Sequence, residues 1–119
     1  MIIGESLVTS YFGYWPQFSD GKITRLSYER GGAVSMSISY IDLERRKAAE
    51  VSLKFSNASN IELTDFISEN VLDVLSIEGA NPIAVSLEAC YGLSGHFTCE
   101  AVEVVAVLPN NKLEADRDV

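Results

Sequence analysis

Apolar and polar residues alternate with a period of two along most of this chain. Val34, Met36, Ile38 and Tyr40 alternate with Ser35, Ser37, Ser39 and Ile41, the mark of a strand that buries one face and wets the other. Leu26 and Tyr28 continue the pattern in a preceding strand over residues 22–30. Gly31-Gly32 between them predicts a two-residue hairpin turn, because both positions tolerate positive φ. Val51, Leu53 and Phe55 alternate with Ser52, Lys54 and Ser56 in a third strand, after a charged connector from Asp42 to Lys47. Asn57 to Asn60 reads as a turn, and Ile61 with Leu63 as a short strand. Thr64 before Asp65 has the form of a helix N-cap, which predicts one or two helical turns through Asn70. Val71–Ile77, Ile83–Cys90 and His96–Leu108 read as three further strands, the last with a β-bulge near Glu100–Val102. At the start, Glu5–Tyr11 predicts a short helix ending at Gly13.

These elements define a mainly β, single-domain protein over residues 1–119, a length typical of one domain. Short turns between consecutive strands predict an antiparallel curved sheet or a small β-sandwich, with short helical segments near the N-terminus and around residues 64–70. The polar tail, 110–119, lacks a period and is expected to fray.

The segment Tyr11–Asp20 departs from the alternation. It holds five aromatic residues, the only Trp and one of three prolines. So much aromatic surface is costly to leave in water. The segment is expected to plug one open end of the sheet, with Trp15 and Phe18 closing it and Asp20 capping the turn through its side-chain oxygens. Recognition by an exposed aromatic patch is the alternative.

Charge changes the picture more than composition does. The net charge of −8 is unevenly spread: residues 1–56 carry seven basic and six acidic side chains, residues 57–119 two basic and eleven acidic. A negative field of this kind disfavours nucleic acid and anionic membranes and suits a basic partner. No apolar run reaches the roughly 18 residues of a membrane span. Met1-Ile2-Ile3-Gly4-Glu5 lacks the basic start of a signal peptide, so a cytoplasmic protein is expected. Cys90 and Cys99 are too few for a disulfide framework or a four-cysteine metal site, and reduced thiols are expected. No cofactor is expected. Phosphate-binding glycine motifs are absent, since Gly92-Leu93-Ser94-Gly95 precedes a strand and lacks the Lys.

Two pairs carry possible chemistry if the loop 91–95 is centred on Leu93. That register sets Leu87 opposite Cys99 and Ala89 opposite Phe97 on the core side. On the outer side Cys90 meets His96, the raw material of an activated thiolate. It also makes Glu88 and Glu100 diagonal neighbours about 7–8 Å apart, a spacing open to acid–base work or to docking of a basic partner. The Cys–His pair has no orienting Asn or Asp at predictable spacing, carboxylates on an exposed sheet are usually just solvated, and no enzymatic activity is expected.

The run Phe12-Gly13-Tyr14-Trp15-Pro16-Gln17-Phe18-Ser19-Asp20, leading into a strand with Ile23 and Leu26, resembles the bacterial immunity protein 50 family. Weaker likeness continues through Val51–Phe55, Glu69–Leu72 and Gly95–Cys99, so that it spans roughly Phe12 to Pro109. Ser19 stands where relatives commonly have His. The resemblance marks Phe12, Gly13, Trp15, Pro16, Phe18 and Asp20 as motif residues with structural roles. It implies an immunity protein of a polymorphic toxin system, a toxin inhibitor that binds a cognate toxin domain stoichiometrically. The acidic second half would meet a basic toxin surface through Glu62, Asp65, Glu69, Glu88, Glu100 and Glu103. A ligand-binding or interaction module of the same fold class, and a small enzyme using the carboxylate or thiol pair, remain as other readings of the residues.

Overall fold

The computed structural model describes residues 2–112, so most of the tail expected to fray lies outside the described residues. The elements are β1 (Ile2–Ile3), α1 (Glu5–Phe12), β2 (Lys22–Glu29), β3 (Ala33–Asp42), β4 (Lys47–Ser56), β5 (Ser59–Thr64), β6 (Asn70–Glu78), β7 (Ile83–Tyr91), β8 (Ser94–Cys99) and β9 (Ala101–Pro109). The fold is mainly β, as the alternation predicts. All nine strands join one sheet in the order β1-β9-β4-β3-β2-β6-β7-β8-β5. Every pairing is antiparallel except that of β1, whose Ile2 and Ile3 run parallel to Val102 and Glu103 of β9.

The sheet curves back on itself because two strands continue around a corner. Only Asn57 and Ala58 separate β4 from β5, and only Glu100 separates β8 from β9. β4 pairs with β9, and β5 pairs with β8, so one two-stranded ribbon bends where the backbone N–H of Glu100 donates to Ser56 O at 2.9 Å. The bulge expected near Glu100–Val102 is thus a full break between strands. Across the bend Phe55 and Phe97 meet edge to face at 5.1 Å between centroids. Inward residues alternate as expected: Val34, Met36, Ile38, Val51, Leu53, Phe55, Val85, Leu87, Phe97, Cys99, Val102 and Val104 are all buried. Burial of this apolar set is the main stabilising contribution.

α1 ends on Gly13, whose left-handed backbone lets its N–H donate to Thr9 O at 2.8 Å. Residues 15–21 then run along β6 as an irregular substitute for a strand. Asp20 N–H donates to Leu72 O, Leu72 N–H to Gly21 O and Leu75 N–H to Gln17 O, all at 2.8–2.9 Å. Phe12 and Phe18 are fully buried and flank Tyr40 edge to face at 5.2 and 5.4 Å. Pro16 is buried, while Trp15 is only half-buried and packs its edge against Phe18 at 5.9 Å. Phe18, more than Trp15, therefore closes the sheet. A Cβ on Gly21 would come within 2.8 Å of both Ile38 and Phe18 O, which explains glycine at that close approach.

Three local expectations are corrected. Residues 65–69 form an irregular loop, not a helix: Thr64 ends β5, Asp65 has φ 64° and Asn70 opens β6. The buried Asn70 holds this loop by accepting from Ile67 N–H at 3.1 Å and donating to Ile67 O at 2.8 Å, which supplants an i to i−4 ladder. The β2–β3 turn has three residues, because Glu29 pairs with Ala33. The 91–95 loop is not centred on Leu93. Leu93 is buried, and its N–H donates to Asn70 Oδ1 at 2.8 Å. Drawing this apolar residue into the core shifts the β7–β8 register, so that Ser86 faces His96 and Leu87 faces Gly95. The shift is an even number of residues, so the core face is unchanged while every cross-strand partner changes.

Candidate functional site

The outer face of β6-β7-β8-β5 collects acidic side chains from five segments. Sheet order lays Ser76, Ser86, His96 and Glu62 in one row across the four strands. Glu88 stands one row away on β7, and Cys90 follows it on the same face. At this end Cys90 Sγ lies 3.5 Å from Leu72 O and 3.9 Å from an Asp20 carboxylate oxygen. Tyr91 Oη donates to Glu69 at 2.9 Å, and Glu69 meets Lys22 at 3.9 Å. Asp73 sits at the β6 bulge beside Cys90 and is exposed, as are Glu62, Glu69, Glu78 and Glu88.

No Lys or Arg occurs between residues 57 and 111, so neutralisation of this face rests on Lys22 at its border and on His96. His96 Nε2 is 3.3 Å from Glu62, an ion pair when His96 is protonated. The field acts on neighbouring groups. Partial desolvation, with Asp73 and Asp20, pushes the Cys90 thiol above its ordinary value, which opposes formation of a thiolate. The hydrogen bond to Glu69, with desolvation, raises the Tyr91 phenol.

Of the six acidic residues singled out in the sequence, the structure brings Glu62, Glu69 and Glu88 to this half of the sheet. Asp65 lies in the loop after β5. Glu103 is elsewhere, on β9 opposite Lys54 of β4, and Glu100 stands at the corner. Glu88 pairs with Val74 and has no β8 partner, while Glu100 lies past the end of β8. Six residues of strand separate their levels, about 20 Å, so the diagonal carboxylate pair does not form. Cys90 is four residues beyond the partner of His96, about 13 Å along the strand, so that dyad does not form either. Both corrections follow from the burial of Leu93. Sequence reading passed over Asp73 and Glu78 as members of the face. Glu78 was signalled by its alternation with the buried Leu75, whereas Asp73, at a bulge, breaks the period.

A second polar cluster ties the aromatic segment to the β3–β4 hairpin. Tyr14 Oη donates to Asp42 at 2.8 Å and lies 2.7 Å from Tyr40 Oη. Asp42 is buried, accepts from Arg45 N–H at 3.0 Å and meets the Arg45 guanidinium at 3.4 Å. That guanidinium also stacks over the Tyr14 ring at 4.5 Å. Burial works against the Asp42 carboxylate, but its hydrogen bonds from Arg45 and Tyr14 prevail and hold its pKa below the ordinary value. Desolvation and bonding to Tyr40 and Asp42 raise Tyr14. The turn at Asp20 is closed by Gly21 N–H donating to Phe18 O at 2.9 Å and not by the Asp20 side chain, whose carboxylate meets Cys90 Sγ at 3.9 Å.

Among the described residues no group of three or more His, Cys, Asp or Glu is arranged to hold a metal ion, and no helix is long and apolar enough to cross a membrane. Cys90 is exposed and Cys99 buried, both as free thiols.

The chain matches the family model Immunity protein 50 over residues 4–110 and belongs to that family. No curated protein and no solved structure matches it.

Proposed function

We propose that this protein neutralises a cognate bacterial toxin in the cytoplasm by stoichiometric, charge-assisted binding without catalysis. Membership of an immunity-protein family supports a toxin as partner. The observation that carries the mechanism is the outer face of β6-β7-β8-β5, built from a stretch of chain without Lys or Arg. Glu62, Glu69 and Glu88, with Asp65 at the margin, form its contact set. A basic toxin surface would be steered to such a face and held by charges desolvated in the complex. A surface hollow lined by Asp20, Lys22, Ser39, Ile41, Leu43 and Lys112 encloses about 250 Å³, below the range of roughly 300–1,000 Å³ for ligand pockets. A larger one, about 410 Å³, lies open beside α1, lined by Ser6, Leu7, Ser10, Tyr11 and Val107.

The test is growth of cells expressing the polypeptide encoded immediately upstream in the native locus, alone and with this chain. Toxicity alone and rescue on co-expression is the expected result. Toxicity that co-expression does not relieve would contradict the proposal for that partner.

A further inference from the structure

The sheet has a gap between β2 and β5 that the described chain does not fill. β2 and β6 pair only through Lys22–Val71 and Ile23–Asn70. Beyond Ile23, β2 bonds to β3 alone, so one edge of Thr24–Glu29 has no strand partner among the described residues. β5 is the last strand of the sheet and bonds only to β8. Between these two edges lies a slot of about 200 Å³ lined by Leu26, Ser27, Tyr28, Val34, Ile61 and Leu63. Tyr28 is 62% exposed at its rim and Ile61 39%. Phe66 and Ile67, just past β5, are exposed too. Ser27 Oγ, shut off from solvent, has no hydrogen-bond partner among the described residues.

Resting on the reading above, we propose that this slot receives an extended, basic segment of the toxin, added as a strand along the free edge of β5. Unpaired backbone groups on an edge select an extended chain, whose N–H and C=O groups complete the ladder. The apolar lining selects alternate apolar side chains on that chain. Charge selects the remainder: Glu62 on β5 and Asp65 just beyond it face no Lys or Arg from residues 57–111, whereas Arg25 and Arg30 lie on the β2 side. Basic residues of the incoming strand therefore align with β5. A second copy pairing β5 to β5 would bring the like charges of Glu62 and Asp65 together, which is destabilising.

A synthetic peptide alternating Lys with Val over about ten residues, added to the full-length protein, tests the slot without the toxin. Amide hydrogen exchange is expected to slow at residues 59–64 and 24–29. The same peptide with Glu for Lys should fail to slow it. Ile61→Lys is expected to weaken peptide binding about tenfold or more, a loss of about 1.4 kcal/mol, with its thermal midpoint unchanged. Tyr28→Lys provides the same test should Ile61→Lys not fold. Absence of protection at these amides, or equal protection by the Glu peptide, would overturn the proposal while leaving growth rescue intact. Peptide binding together with failed rescue would instead overturn the toxin as occupant.

Discussion

Two irregular segments flank the short contact between β2 and β6, and they behave in opposite ways. On one side residues 15–21 lie along β6, bury Phe18 completely and satisfy Leu72 and Leu75 by backbone bonds. On the other, residues 65–69 leave the edge of β2 unpaired and keep Phe66 62% exposed. The first segment completes the fold, and the second stops short of completing it. The difference separates the part of the sheet that the chain itself completes from the part that it leaves open. Aromatic surface is committed to the core where a chain segment closes the sheet, and left exposed at the rim where none does.

The comparison predicts unequal mutational costs. Phe18→Ala removes a fully buried ring and should cost about 3–5 kcal/mol in urea unfolding, with Trp15→Ala, half-buried, costing less. Equal costs would contradict Phe18, rather than Trp15, as the residue that closes the sheet. Next in size is Asn70→Ala, which deletes the side chain that accepts from Ile67 and Leu93 and donates to Ile67. Leaving those groups unpaired should cost about 2–3 kcal/mol, and amide exchange should quicken over 65–69.

A smaller, pH-dependent effect belongs to Asp42, which anchors the plug through Tyr14. Its folded pKa is depressed, so its contribution is fully present above the unfolded value of about 3.9. That contribution is lost as pH falls through the depressed folded value. Asp42→Asn should flatten the acid limb of thermal stability and lower stability at neutral pH. An unchanged acid limb would contradict the role of this carboxylate. Smallest of all, Phe66→Ser should change stability by about 0.5 kcal/mol or less. A larger loss would mean that the rim is part of the core.

The strands were legible because one-sided burial imprints a period of two, as in Ile83–Leu87; in Val34–Ile41 the alternation marks the strand, but Ser37 and Ser39 on the side expected to be wet are buried as well. The plug was legible from its density of aromatics, although alternation could not rank Phe18 above Trp15. Thr64-Asp65 misled because the same residues that cap helices also form turns, and Asn70 decided the matter from outside the local window. The loop 91–95 misled because symmetric pairing ignores the drive to bury Leu93. The acidic character of the second half was plain in the sequence. Its division between one face and Glu103 was not, since that depends on which strands lie side by side.

The most direct measurement is the association rate between this protein and the toxin proposed as its partner, at low and high salt. Reversing Glu62, Glu69 and Glu88 to Lys should slow association about tenfold or more at low salt, with the difference shrinking at high salt. Glu103→Lys, on the far part of the sheet, should leave the rate nearly unchanged. Equal rates for the triple variant and the wild type, with folding intact, would contradict the acidic face as the docking surface.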